Sequence, residues 1–181
     1  MATQGVAAVV DPNLLYQEQH GLTKDSQALM YGRVVNKHAR HNLCFADHSQ
    51  EPNYEAGQGT VVAFSNLPYL NHLRSAWSTV IGDSASSLYA EGNYYYDPSK
   101  CGIGYHGDSE RKKVVAVRLG ATIPLCYQWF CQGKPVGHTG TWQLGHGDVY
   151  VMSDKAVGYD WKKKSTLTMR HAAGAAKYTT P

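Results

Sequence analysis

The stretch CGIGYHGDSERKK, residues 101–113, sets His106 and Asp108 two positions apart and follows them with Glu110 and three basic residues. Alternate side chains of a strand project to the same face, so this imidazole and this carboxylate can reach one point in space. Two histidines and one carboxylate on a common face, with open positions opposite, form the ligand set of non-haem iron(II) oxygenases. The second histidine then has to come from far along the chain, returned by strand pairing. His138 lies in the turn-like GKPVGHTGT and His146 beside Gly147 in LGHGDVY, where a turn or strand-entry role is the simpler reading. His171 ends the strand-like TLTMRH and is the better placed candidate. The competing reading is that H-x-D is a chance triplet, a polar pair in a turn.

The elements that must position these residues are legible in outline. Residues 1–30 lack strong periodicity, although PNLLYQEQHGLTKDSQALMY can hold one short amphipathic helix. SQEPNYEAGQGTV has the composition of a loop between strands. LPYLNHLRSAWSTVIG places Leu67, Leu70, Leu73, Trp77 and Val80 at helical spacing and ends near Gly82. Beyond it the texture changes to short runs rich in Val, Tyr, Trp and Thr, divided by Gly or Pro: LYAEGNYYYD, VVAVRLG, IPLCYQWF, GTWQLGHGDVYVMS and STLTMRHAAG. A helix followed by such strands predicts an antiparallel sandwich or barrel. That architecture hosts many unrelated functions, so the chemistry has to be argued from the site.

Composition narrows the classes. At 181 residues, 43% hydrophobic and 17% charged, the chain suits one folded domain. No apolar run approaches the length of a bilayer span, and the mean hydropathy is negative. The apolar patch near the N-terminus has no basic segment before it, so no secretory signal is expected and an intracellular location, cytoplasmic or nuclear, follows. Cys44, Cys101, Cys126 and Cys131 match neither a disulfide framework nor a zinc site and read as free thiols. The net charge of +3 announces no nucleic-acid partner by itself. Local clusters say more: GRVVNKHARHN carries Arg33, Lys37 and Arg40, and DWKKKST carries three consecutive lysines. Either can touch phosphates, and either can be a solvated basic surface.

Five ordered elements then point to a family. EGNYYYDPSKCGIGYHGDSERKKVVAVRLGATIPLCYQWF followed by LGHGDVYVMS resembles the core of the AlkB-type 2-oxoglutarate and iron(II)-dependent dioxygenases. The matching features are Asn93 and Tyr95, His106 and Asp108 with Glu110 nearby, VVAVRLG, YQWF, and LGHGDVYVM, over about residues 60–181. The resemblance implies a double-stranded β-helix (jelly roll) core, an α+β but mainly β fold, with N-terminal helices packed on one sheet. It implies an N-terminal extension at 1–30, a substrate lid at 31–60 and an oxygenase core at 61–181. It further implies that His106, Asp108 and His171 hold Fe(II) and that Asn93 and Tyr95 bond 2-oxoglutarate. In the lid, Arg33, Lys37 and Arg40 would meet phosphates, and Tyr31, Phe45 and Tyr54 would stack on an extruded base. A surface hairpin whose aromatics pack on the core is the alternative for that segment.

The C-terminal part departs from the family pattern. Members bind the distal carboxylate of 2-oxoglutarate with an arginine well beyond the second histidine, whereas here Pro181 follows His171 closely. Two registers compete. In one, His171 is the ligand, Lys177 is the cationic anchor, and Arg170 faces the other side of its strand. In the other, STLTMR is the arginine strand, Arg170 and Lys164 bind the carboxylates, and Asp160 takes the ligand position. The first keeps the usual ligand set for this iron and is the expectation.

The implied reaction uses molecular oxygen to hydroxylate a methyl or alkyl group, in the AlkB-type case on a modified nucleobase of DNA or RNA. Two other classes stay open. One is a hydroxylase of protein, such as a prolyl residue, or of a small molecule; the other is a catalytically silent metal- or nucleic-acid-binding relative. A monomer with no membrane association is expected.

Overall fold

The computed structural model describes residues 5–181, so residues 1–4 of the expected N-terminal extension lie outside it. The fold is mixed α+β, mainly β, with several sheets and few helices. It divides into two compact units, Val6–Tyr96 and Asp97–Pro181, with Gly5 belonging to the latter. The division at 96/97 falls inside the 61–181 stretch expected as the core.

In the first unit, helix α1 (Pro12–His20) starts where the sequence supplies a cap. The Asp11 carboxylate accepts from the Asn13 N–H at 2.8 Å, and Pro12 takes the first helical position, where its missing N–H costs nothing. Strands β1 (Gln27–Met30) and β2 (Arg33–Asn36) form a hairpin across Tyr31 and Gly32. Both turn residues have left-handed φ, 53° and 77°, the geometry that matches strand twist in a two-residue loop. Strand β3 (His41–Ala46) pairs in parallel with β4 (Val61–Ala63) and antiparallel with β5 (Ala90–Tyr94). Helix α2 (Pro68–Ile81) buries Leu73 and Trp77, while Val80 is 60% exposed, so the apolar stripe ends a turn earlier than its spacing suggests.

Leu43, Phe45, Phe64 and Leu67 make the core of this unit. Phe45 is therefore a packing residue, which corrects its expected role as a stacking platform: its ring is sealed, 3% exposed, against Phe64. Tyr54 is half-buried and donates to Asp25 at 2.8 Å. Asp25, itself buried, also accepts from the N–H and hydroxyl of Thr60. Among the described residues four strands precede α2, a second correction to the helix-then-strands order.

In the second unit, β6 (Gly102–His106), β8 (Ile123–Cys131), β9 (Lys134–Leu144) and β11 (Thr168–Gly174) form an antiparallel sheet in the order β6-β11-β8-β9. Strands β7 (Val114–Val117) and β10 (Val149–Met152) form a separate antiparallel ladder. Leu125 of β8, Ala173 of β11, Met152 of β10 and Val157 of helix α3 (Asp154–Val157) share one cluster with Ile103, Val114, Tyr127 and Tyr150. The sheet and the ladder thus bury a common inner layer. The other face of the sheet carries Cys126, Gln128 and Phe130, which explains why β8 reads as a nearly unbroken apolar run. Helix α4 (Ala176–Thr179) packs on that outer face, where Tyr105 donates to the Thr179 carbonyl at 3.0 Å. His138, expected in a turn, lies exposed within β9, while His146 does occupy the β9–β10 turn, its Nδ1 accepting from the Gly120 N–H at 2.9 Å. Among the described residues no disulfide forms between the four cysteines. Among the described residues no helix is long and apolar enough to cross a membrane.

Candidate metal centre

His106 is the last residue of β6, and its direct cross-strand partner on β11 is His171. The pairing slips between His171 and Ala173, opposite Ile103–His106, a bulge of the kind that re-aims side chains. Within it the Gly104 carbonyl lies 2.8 Å from His106 Nδ1. A carbonyl can only accept, so Nδ1 carries the proton and the Nε2 lone pair is left to face the centre.

Asp108 reaches the same point because the chain between it and His106 is pressed against the end of α3. A Cβ on Gly107 would sit 2.2 Å from the Gly158 carbonyl oxygen and 2.7 Å from the Trp161 ring, so only glycine fits there. Gly158 itself ends α3 with φ 73°, and a Cβ on it would meet the Met169 carbonyl at 2.5 Å. The Asp108 N–H then bonds the Val157 carbonyl at 3.0 Å, and the Trp161 indole N–H bonds Ser109 at 3.1 Å. These contacts hold the H-x-D segment against the end of α3 and the α3–β11 connection.

The result is convergent. Asp108 Oδ1 is 3.6 Å from His106 Nε2, and Oδ2 is 3.9 Å from His171 Nε2. The imidazole centroids are 4.3 Å apart at an interplanar angle of 56°. Among the described residues these three side chains form a metal-capable group, their ligand atoms all within 4.8 Å of one another. The donor set fits a first-row divalent ion with positions left open. Electrostatics favour the binding form of His171: burial first, and then the proximity of a second imidazole, His106, push its pKa down to about 4, against a lesser upward pull from the Ala156 backbone. The ring is therefore neutral at physiological pH, as a ligand must be. On the rim, Arg111 lies 3.6 Å from Asp108 Oδ2 and 3.6 Å from the exposed Glu110.

The other expected residues distribute as follows. Arg170 points to the face opposite His171, its guanidinium 4.2 Å from the Phe130 ring centroid and 5.4 Å from that of Trp161. Lys177 is exposed on α4, 5.0 Å from the Tyr178 ring centroid. Asp160, the alternative ligand, accepts from Lys155 at 2.7 Å instead, and Lys164 is exposed. Asn93, Tyr95, Arg33, Lys37 and Arg40 belong to the first unit. There the Asn93 side-chain oxygen accepts from Arg40 Nε and Asn42 Nδ2, both at 2.6 Å, and Lys37 donates to Asn42 at 3.3 Å. Burial lowers the Lys37 pKa. Arg33 is exposed beside the hairpin tip, where Tyr31 is 96% exposed. Two surface pockets of about 360 and 190 Å³ are lined by residues of the first unit and by none of the triad.

Sequence reasoning overlooked Tyr127 and Trp142. Tyr127 lies between His171, at 6.2 Å, and Trp142, at 5.6 Å between centroids. Trp142 crosses the space that a side chain at Gly140 would fill. Both were present as aromatic residues in strand-like runs, but only the pairing Tyr127↔His171 brings them to the centre.

No family model matches the chain. The chain is similar to an uncharacterized protein of Acanthamoeba polyphaga mimivirus, 51% identical over 164 residues that make up 91% of this chain and 64% of the relative. The chain thus spans less than two thirds of the relative's length.

Proposed function

We propose that the protein is an Fe(II)- and 2-oxoglutarate-dependent dioxygenase of the AlkB type that hydroxylates a methyl or alkyl group on a modified nucleobase. The observation that carries this reading is the convergence of His106, Asp108 and His171 from two adjacent strands. The inner layer shared by a four-stranded sheet and a two-stranded ladder supports a double-stranded β-helix as the scaffold. With iron(II) and 2-oxoglutarate bound, such a site supplies dioxygen activation: one oxygen atom enters succinate as the co-substrate loses carbon dioxide, and the other enters a substrate C–H bond. His106 and His171 would contribute neutral imidazoles and Asp108 the single negative charge. The Gly104 carbonyl holds the His106 tautomer, and Gly107 holds Asp108 in reach. A hydroxymethyl group on a ring nitrogen then releases formaldehyde and leaves the unmodified base.

The basic residues Arg33, Lys37 and Arg40 and the exposed Tyr31 support a nucleic-acid substrate over a protein or small-molecule one. A silent metal-binding relative is favoured by one feature, the placement of both expected carboxylate anchors on the face away from the triad: Arg170 over Phe130, and Lys177 on the helix that Tyr105 binds. The test is succinate and formaldehyde release with N-methylated oligonucleotides, single- and double-stranded. Turnover stimulated by them and weakened by salt supports the reading. Succinate formation without any response to oligonucleotides would turn it toward a protein or small molecule, and no succinate at all toward the silent relative.

A further inference from the structure

The smaller of the two pockets in the first unit, about 190 Å³, lies between the β1–β2 hairpin and the loop around Gly57. Strand β1 lines it with Gln27, Ala28 and Leu29. The opposite wall is the short turn Tyr54–Ala56 and the residues that follow it, Gly57 to Gly59. The chain bends there because the Asn53 side chain caps the turn through the Ala56 N–H and Gly57 takes a left-handed φ of 73°. Leu29 packs over Gly57, its Cδ2 3.5 Å from where a Cβ would stand, so the two walls meet at that end. Lys37 reaches the same space from the base of the hairpin, where its N–H bonds the Ser26 carbonyl at 2.7 Å.

The polar groups of this pocket are only partly engaged. The Lys37 ammonium has three N–H groups and donates one hydrogen bond, to Asn42 at 3.3 Å. Gln27 uses its amide nitrogen on Asn36 at 3.1 Å, and among the described residues its carbonyl oxygen accepts no hydrogen bond. The Gln58 side chain has no hydrogen-bond partner among the described residues. The Tyr54 hydroxyl is committed to Asp25, which leaves its ring as an apolar wall. The larger pocket offers no comparable set: Arg74 is paired with Asp47, and the Ser75, Ser78 and Ser86 hydroxyls donate to backbone carbonyls.

The volume lies below the roughly 300–1,000 Å³ of pockets that take drug-sized ligands, and it suits one planar ring system. The ring that satisfies this set offers adjacent acceptors to an ammonium and N–H donors to amide oxygens. Guanine does both, with O6 and N7 on one edge and the N1–H and N2 amino group on the next. Adenine and cytosine would turn an amino donor toward the ammonium, and thymine has no second acceptor beside its O4. We propose that this pocket binds an unmodified guanine base, Lys37 donating to O6 and N7 and the Gln27 and Gln58 carbonyls accepting from the Watson–Crick edge. The site is independent of the dioxygenase reading, which concerns residues of the second unit.

The experiment uses the full chain, isotope-labelled and without added metal, and follows its amide NMR spectrum as GMP, AMP or ribose 5-phosphate is added. GMP should move the Gly57, Gln58 and Gly59 backbone signals and the Gln27 and Gln58 side-chain amides. It should bind about tenfold or more tightly than AMP, the effect of one good two-acceptor contact. In Lys37→Met the two nucleotides should bind within about twofold of each other. Lys37→Arg, which keeps the charge and adjacent donors, should keep most of the preference and shows that the loss in the methionine variant is not misfolding. A short oligothymidylate with one central guanine, compared with the same strand carrying adenine, separates the two sources of the base. Tighter binding than GMP with the guanine preference kept assigns the pocket to a base within a strand, and binding of GMP alone assigns it to a free nucleotide. Equal affinity for GMP and AMP, pocket signals that do not move, or the same shifts with ribose 5-phosphate overturns the proposal.

Discussion

His106 and His171 face each other across β6 and β11 as a direct cross-strand pair, their rings 4.3 Å apart, and Asp108 presents one carboxylate oxygen to each. Two imidazoles held this close to a carboxylate are a donor set in search of a cation. Replacing either histidine with alanine should lower Co(II) or Mn(II) affinity by about a hundredfold or more, and Asp108→Ala should do the same. Equilibrium dialysis reads this directly. Asp160→Asn should leave the affinity unchanged, because Lys155 already engages that carboxylate.

The depressed pKa of His171 has a stability consequence in the metal-free protein. The unfolded chain binds a proton near pH 6.5, while the folded chain resists it down to about 4. Between these values the unfolded state holds more protons, so stability falls as the pH drops from 6.5 toward 4. Urea midpoints of chelator-treated protein at pH 7, 5.5 and 4.5 should decline, and the decline should be shallower in His171→Asn. Equal slopes in both proteins would contradict the burial argument.

Tyr54 gives the opposite sign at the other end of the scale. Burial and its bond to Asp25 raise its pKa to about 12, so the stability it contributes is complete below pH 10 and is lost as the pH rises through 12. Tyr54→Phe removes a hydrogen bond to a buried carboxylate and should cost about 2 kcal/mol at pH 7. Chemical denaturation at pH 7 and 10.5 checks both statements.

Gly107 positions Asp108 by having no side chain. Gly107→Ala should lower stability by about 2 kcal/mol through overpacking against Gly158 and Trp161. It should also weaken metal binding, whereas Gly104→Ala, with open space around it, should weaken it less. Denaturant melts and dialysis on the two variants provide the comparison.

If the first unit meets nucleic acid, Arg33→Ala and Tyr31→Ala should weaken binding of single-stranded oligonucleotides. Arg33→Ala should also reduce the slope of log affinity against log salt by about one, the signature of a lost phosphate contact. Fluorescence anisotropy at several salt concentrations measures this.

The three residues of the triad were nameable from the sequence, but the reasons differ: Asp108 lies two residues past the end of β6 and is placed by the Gly107 contacts and the Val157 carbonyl rather than by strand alternation, and His171 lies inside β11 rather than at a strand end. What was hidden depends on partners distant in sequence. Tyr127 lies in an apolar run, and its place beside His171 becomes visible only when β8 is paired with β11. Strands β1 and β2 have largely exposed faces and show no hydrophobic alternation, so β1 was hidden at the end of a stretch that reads as able to hold a helix. Phe45 looked like a stacking residue because it lies near basic residues in sequence, but it shares its face of β3 with Leu43, and that face is the core.

The central claim is that the triad holds iron together with a 2-oxo acid. Anaerobic addition of iron(II) and 2-oxoglutarate to the purified protein should produce the weak visible metal-to-ligand charge-transfer band of a chelated complex, and the band should be absent in His106→Ala and His171→Ala. A parent protein with no band, or a band that survives both substitutions, would contradict the account.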